Sequence, residues 1–457
     1  MGFSNSQGTP GRGTLVRLTR QLAVFEVYNP YSIVQLSEVL DNVEIRRQGR
    51  VIYQGRAVVS NLISTGLMMI VSVALVDPWT DLAELTPGNV LKEEARRFVK
   101  DWERTHALSP KFQLTVTSLA NFLQELSRWL EGTEASSEAI GSKHEPEEKR
   151  EFVGQVHGEV VDRLNTLMYE FDEHGREIEP DDIPHHKAFA QRILHPLTLV
   201  SPWINRTFNK PFGYAGDYEM LNMVMRDAAE GHNAYSKVLN MAILGQQPQQ
   251  AYRNRIDMLT ERLHEEATRL GRQGHKLRAF TVGCGPVNEV QRFLRTDPIS
   301  DGCQFHMMDF NKPTLDFASD RVDEAIRDSS RRIEHTFVQK SIHELLEEAK
   351  GRRVSYEPRF DLVYCAGLFD YLSNRICAKL IKLFYSWVAP GGMVVVTNVA
   401  NSDPILIPLE YIMEWYLIYR SPDDMLELIP DLGEQTVSVD ETGINVFLEI
   451  RKPSRNA

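Results

Sequence analysis

The sequence predicts a multidomain chain: a small β-barrel, an α-helical middle or cap region, and an α/β domain with a mostly parallel sheet. Three observations carry this reading. From Gly13 to about Asp77, short runs of strand formers alternate with turns. From Pro87 onward, apolar residues recur at helical spacing, and beyond Tyr252 strand and helix patterns alternate. The expected boundaries are 1–90, 91–246 and 247–457. A chain of 457 residues is too long for one ordinary core.

Bulk properties exclude several classes. The formal net charge of −12 argues against general nucleic-acid or anionic-membrane binding. The longest apolar stretch, Gly66 to Val76, stops at Asp77 and is too short for a transmembrane segment. The first residues, including Ser4, Asn5 and Gln7, lack a signal peptide's apolar core. Four cysteines (Cys284, Cys303, Cys365, Cys377) without paired metal spacing fit reduced thiols. A soluble cytoplasmic protein is expected.

In the first part, Ala23 to Tyr28 reads as a strand, and Val43–Ile45 and Val51–Tyr53 flank a Gln48-Gly49 turn. Ala57–Ser60, a break at Asn61 to Gly66, and Leu67–Leu75 make a further pair. This part resembles a PilZ domain, a bacterial module that often binds cyclic di-GMP. Asn61 and Gly66 match the family's second motif, whereas Ile63 stands where a serine is usual and Ser64 comes one place late. Arg12, Arg17 and Arg20 lie upstream at unusual spacing. With both motifs altered, docking or regulation is favoured over a cyclic di-GMP receptor.

The middle holds two long amphipathic patterns. One runs through Phe112, Val116, Leu119, Phe122, Leu123, Leu126 and Leu130, with Trp129 widening the stripe; the other runs through Phe152, Val156, Val160, Leu164, Leu167, Met168 and Phe171. Gly132 to Glu148 between them reads as an exposed linker. His185, His186 and His195 fit no common metal-ligand spacing, so solvated or capping rings are expected and no metal. Lys210 to Glu219 holds two glycines, a proline and three aromatics in ten residues. Such a shaped loop can bring Tyr214, Asp217 and Tyr218 to a ligand.

The last part is organised around Phe280-Thr-Val-Gly-Cys-Gly-Pro286, a strand breaking into a glycine turn. Val287 to Leu294 then has helical spacing, and the run Phe305 to Met308 ends on Asp309. Strand, glycine turn, helix, strand and acid form a cradle for an adenosine-containing ligand, with the acid taking ribose hydroxyls. A dinucleotide would want a third glycine where Asn288 stands, and Pro286 removes a backbone donor. Strands at His335–Val338, Phe360–Cys365 and Met393–Thr397 follow, the last after Ala389-Pro390-Gly391-Gly392. Val437–Val439 and Val446–Ile450 suggest an antiparallel hairpin closing the sheet.

From about Tyr252 to Pro453 this order resembles the class I S-adenosylmethionine-dependent methyltransferases, a Rossmann-like family. The resemblance rests on Phe280–Gly285, Asp309, Ser341-Ile342, Asp361–Leu368 and Pro390-Gly391-Gly392. It implies S-adenosylmethionine as cofactor. Gly283, Cys284 and Gly285 would lie at its methionine part, Asp309 and Phe310 at the ribose, and Ser341 and Ile342 at the adenine. Cys365, Ala366 and Gly367 would line the sulfonium. The loop at Lys210–Glu219 and the run Trp415–Arg420 also make the chain similar to bacterial methyltransferases of hydroxy-fatty-acid methyl ester biosynthesis. The expected acceptor is a small acidic or hydroxylated metabolite. Asp217, Tyr214 and Asp370 are candidates for handling its proton, and Arg420 for holding an acidic substrate. The rival reading is a non-catalytic signalling effector whose barrel senses a nucleotide or partner.

Overall fold

The computed structural model describes residues 1–454 apart from 20, 29–33, 48–49, 65–67, 78–94, 97–98, 101–107, 140–145, 352–358 and 403–404. The chain divides into two compact units, each discontinuous in sequence. One comprises Met1–Ala215, Asp227–Gly245 and Pro404–Tyr416; the other comprises Gly216–Arg226, Gln246–Asp403 and Leu417–Ala457.

In the first unit, β1 (Gly2–Ser4), β2 (Pro10–Arg12), β3 (Thr14–Leu18), β4 (Leu22–Tyr28), β5 (Val39–Arg47), β6 (Arg50–Ser64) and β7 (Met68–Leu75) form one antiparallel sheet. Its order is β2-β1-β5-β6-β7-β4-β3. Ala23, Phe25 and Val27 are buried while Val24 and Glu26 between them are not, as period-two alternation requires. Bulges between Leu40 and Val43 and between Val59 and Asn61 curl the sheet into a half-barrel. Among the described residues β2 and β3 do not pair with each other, so the expected closed barrel is an open sheet. The expected break at Asn61 is also corrected. The bulge absorbs the extra residue, and Asn61–Ser64 continue the ladder against Ser72–Met69. Gln48, Gly49 and Gly66 lie outside the described residues.

Two long helices, Pro110–Ala139 and Pro146–Arg176, bury the anticipated stripes, with Phe112 and Phe171 5.5 Å apart. Trp129, however, is 54% exposed, because it lies beside the stripe and not in it. The first helix also runs through the first half of the expected linker, to Ala139. Its Glu and Ala residues sustain a helix, and Thr133 Oγ1 bonds back to the Trp129 carbonyl at 2.9 Å. His186 is buried, not solvated: Nδ1–H donates to the Asp182 carbonyl and Nε2 accepts the Ser109 N–H, both at 2.9 Å. His195 Nε2 donates to the Ile412 carbonyl at 2.9 Å. Among the described residues no group of three or more His, Cys, Asp or Glu is placed to hold a metal ion.

A buried ion pair ties the later segment Leu406–Tyr416 into this unit. Lys187 Nζ lies 2.6 Å from Glu414 Oε1 and donates to Tyr416 Oη at 2.7 Å. Ser37, from the turn before β5, donates to the Tyr416 carbonyl at 2.9 Å and accepts the Tyr416 N–H.

The second unit is built on β8 (Arg278–Val282), β9 (Gln304–Asp309), β10 (Glu334–Gln339), β11 (Phe360–Cys365), β12 (Val388–Val399), β13 (Glu434–Val439) and β14 (Asn445–Arg451). The order is β10-β9-β8-β11-β12-β14-β13. The strands β8 to β12 run parallel, and β14 is antiparallel to both β12 and β13, which is the anticipated closing hairpin. Residues alternate between two cores. Phe280, Val282 and Val363 face one with Trp387, while Ala279, Leu362 and Tyr364 face the other with Phe293. Strands buried on both faces read as continuous apolar runs, which is why β8 and β11 were visible in the sequence. Phe280 stacks on Trp387 at 5.3 Å. The expected turn Ala389–Gly392 lies inside β12, where pairing jumps from Phe360–Val388 to Leu362–Met393. There a Gly392 Cβ would stand 2.6 Å from the Asp361 carbonyl oxygen. The four cysteines are free and buried. No helix among the described residues is long and apolar enough to cross a membrane.

Candidate functional site

The chain leaves β8 outward to β9 and β10, then returns to the other side of β8 as β11. At such a reversal the connecting helices diverge, and a crevice opens at the carboxyl ends of the strands. The glycine turn lies at this point. Gly283 and Gly285 have φ of +66° and +55°, values that glycine adopts without a Cβ penalty. Val287 also has positive φ and caps the helix Asn288–Thr296, which starts one residue later than its apolar spacing predicts. Pro286 therefore belongs to the turn. Cys284 N–H donates to the Met308 carbonyl at 2.9 Å, fastening the turn to β9.

Asp309 ends β9 and is only 7% exposed. Its Oδ2 accepts the Gly285 N–H at 3.1 Å and its Oδ1 accepts the Asn311 N–H at 3.0 Å. Burial pushes this carboxyl above its ordinary range, and the backbone donors oppose that shift. The Phe310 N–H also faces this carboxylate, and the acceptor capacity left over suits a ligand hydroxyl. Phe310 follows, half-buried, its carbonyl accepting from Gln339 Nε2 at 3.2 Å.

At the end of β10, Ser341 caps the helix Ile342–Gly351 through reciprocal bonds with Glu344. Its N–H and Oγ each donate to Glu344 Oε2 at 2.8 Å, and its Oγ accepts the Glu344 N–H at 3.2 Å. Ile342 is half-buried against the core. At the end of β11, Cys365 is fully buried, its thiol pushed well up by desolvation. Ala366 is partly buried, and Gly367 turns with φ +83° and donates its N–H to Thr397 Oγ1 at 3.1 Å. Leu368 lies across the glycine turn, 3.5 Å from the place of a Gly283 Cβ.

The proposed catalytic residues are less uniform. Asp370 is buried; its Oδ1 accepts the Val399 N–H at 2.6 Å, and its carbonyl accepts the Ile418 N–H at 2.7 Å. Desolvation pushes its carboxyl up, with Arg255 and the Val399 N–H acting against it. Arg420 is 2% exposed and engages all five donors inside the protein. Nε and Nη2 reach Asn374 Oδ1, Nη2 also the Leu372 carbonyl, and Nη1 the Phe369 carbonyl and Asn398 Oδ1. No donor is left for an acidic substrate, so its part is to clamp the segment after β11.

Asp217 caps the helix Tyr218–Met225, its Oδ1 accepting the Met220 N–H at 2.9 Å. That helix belongs to the second unit and lies over the cradle. Tyr218 stacks on Phe317 at 4.9 Å, and Leu221 Cδ1 approaches to 3.8 Å the place of a Gly285 Cβ. Tyr214, half-buried, belongs to the first unit.

Two residues of the crevice escaped sequence reading. Glu289, in the first turn after the glycines, is buried and accepts from Tyr364 Oη at 2.8 Å; burial pushes its carboxyl up. The available signal was an acid at a helix start. Arg255, in the helix Gln247–Gly271, places Nη1 and Nη2 2.9 Å from where a Gly367 Cβ would be. Nothing distinguished it from its polar neighbours Arg253 and Asn254.

No protein-family profile matches this chain, and no curated protein matches it. Solved structures do show likeness. A possible exported protein from Bordetella parapertussis is 14% identical over 55% of this chain and 86% of its own, with a TM-score of 0.42. Magnesium protoporphyrin IX methyltransferase (ChlM) from Synechocystis PCC 6803, with bound SAH, is 12% identical over 45% and 86%, at 0.32. The N-methyltransferase NodS from Bradyrhizobium japonicum WM9, in complex with S-adenosyl-l-homocysteine, is 15% identical over 52% and 98%, also at 0.32. Likeness at this level leaves the assignment to the chain's own residues.

Proposed function

We propose that the second unit is a methyltransferase that binds S-adenosylmethionine in the crevice at the ends of β8, β9, β10 and β11. The observation that carries this reading is Asp309. Its carboxylate is held by the N–H groups of Gly285 and Asn311, with that of Phe310 beside them, next to two left-handed glycines, and it keeps acceptor capacity for a ribose hydroxyl. In this reading Gly283, Cys284 and Gly285 back the methionine part, Asp309 and Phe310 the ribose, Ser341 and Ile342 the adenine, and Cys365, Ala366 and Gly367 the sulfonium. When bound, the cofactor supplies an electrophilic methyl group on a positively charged sulfur.

The protein's contribution is then positioning and exclusion of water. Leu221 and Leu368 bring apolar side chains against the glycine turn. The acceptor is a small acidic or hydroxylated metabolite, a fatty-acid carboxylate among the candidates. A carboxylate acceptor arrives ionised and needs no base; for a hydroxyl, Asp370 takes the proton through the oxygen not bonded to Val399. Asp217 is assigned to the approach of the acceptor, whereas Arg420 positions the loop that carries Asp370.

The working division is a regulatory or docking PilZ-like part (1–90), a helical cap (91–246) and the catalytic part (247–457). The altered motif, with Ile63 where a serine is usual, supports a role for the first sheet other than cyclic di-GMP binding; Arg17 makes an exposed ion pair with Asp181 at 3.0 Å. Incubation of the protein and methyl-labelled S-adenosylmethionine with a bacterial metabolite extract tests the activity. A labelled small acid or its ester is the expected product; label that never leaves the cofactor would count against it.

A further inference from the structure

Arg255 differs from the other arginines of its unit's interior. The Arg420 fork is filled by protein acceptors, and Arg278 binds Asp361. Arg255 is half-buried, and among the described residues it makes no hydrogen bond and no ion pair. Its guanidinium lies over the Tyr252 ring at 5.0 Å, which fixes the plane of the fork. The two terminal nitrogens lie 2.9 Å from the place of a Gly367 Cβ, at the residue where the chain turns after β11. Any other residue at 367 would drive a Cβ into them. Two acids lie within electrostatic reach, Asp370 and Glu289, yet each is held elsewhere, by the Val399 N–H and the Tyr364 hydroxyl.

A fork of five fixed donors, partly withdrawn from water and unfilled by protein, matches one ligand chemistry well: a carboxylate gripped by two parallel N–H···O bonds. We infer that Arg255 is the carboxylate anchor of this crevice, with Tyr252 holding its plane and Gly367 giving it room. The inference rests on the S-adenosylmethionine reading. The carboxylate comes either from the amino-acid end of the cofactor or from an acidic acceptor.

Calorimetry on the full chain with three probes separates these sources: S-adenosylhomocysteine, 5′-methylthioadenosine (the same nucleoside without the carboxylate) and hexanoate. Arg255→Met should weaken S-adenosylhomocysteine at least about tenfold while leaving 5′-methylthioadenosine within about twofold. Arg255→Lys keeps the charge without the fork and should fall between. If S-adenosylhomocysteine is unaffected but hexanoate binding is lost in Arg255→Met, the acceptor is the source. Equal weakening of both nucleosides would make Arg255 structural, and no change with any probe would remove its role; either overturns the inference. A wild-type chain that binds neither nucleoside contradicts the cofactor reading instead, and the hexanoate titration then decides Arg255 by itself.

Discussion

Asp370 shows what a single residue can settle. Its buried carboxyl, pushed up by desolvation, gains basicity from the environment that would make it a proton acceptor. With a hydroxyl acceptor, Asp370→Asn should lower kcat by about 10²- to 10⁴-fold. The wild-type rate should then fall on acidification at a pH above the ordinary aspartate range, as the raised carboxyl takes up its proton. With a carboxylate acceptor neither effect is expected, so kcat against pH for both proteins distinguishes the two chemistries. Gly283 offers a second test, because a side chain at φ +66° strains the turn. Gly283→Val should weaken nucleoside binding at least about tenfold in a titration, from a strain of order 1–3 kcal/mol. The place of Asp309 at the end of β9 was legible because the apolar run Phe305–Met308 stops there. Arg255 was not, since an arginine on a polar helix face looks the same whether it meets water or a crevice. Arg420 misled for the converse reason: its sequence neighbours do not reveal that Asn374, Asn398 and two carbonyls surround it.

Among the elements, β11 was legible residue by residue and β8 from Phe280 on, because burial on both faces leaves nearly continuous apolar runs, broken only by Thr281 and Asp361. The course of β6 was not, because the bulge near Val59 lets a strand continue through Asn61 where turn chemistry suggested a stop. The segment Leu406–Tyr416 depends on an element-scale contact that sequence could not pair, 227 positions apart between Lys187 and Glu414 (414 − 187). Burial pushes the Glu414 carboxyl up, but the ammonium groups of Lys187 and Lys210 outweigh it and hold the group down at about 2, against an ordinary 4.5. A depressed carboxyl stabilises the fold above the unfolded value and loses that contribution as pH falls through the folded one. Stability should therefore decline between about pH 4.5 and 2. Removing one partner leaves a buried ammonium uncompensated, so Glu414→Gln should cost about 3–5 kcal/mol in urea unfolding. A loss below about 1 kcal/mol would show that the cluster is solvated.

For the whole molecule, changes of period suggest three consecutive parts, but the division into two discontinuous units was not legible. The helix Tyr218–Met225 and the segment Leu406–Tyr416 each belong to a different unit from the residues that flank them in sequence. Only packing decides that. The first unit's role is open to direct measurement: titration with cyclic di-GMP should give no binding, and tight binding would restore the receptor reading despite Ile63 and the engaged Arg17. The central claim, that Asp309 and the glycine turn cradle S-adenosylmethionine, is tested most directly by calorimetric titration of the intact chain with that cofactor. Binding by the wild type, weakened at least about tenfold in Asp309→Ala through loss of charge-assisted bonds to the ribose, is the predicted result. No heat with the wild type, or equal affinity in the variant, would contradict it.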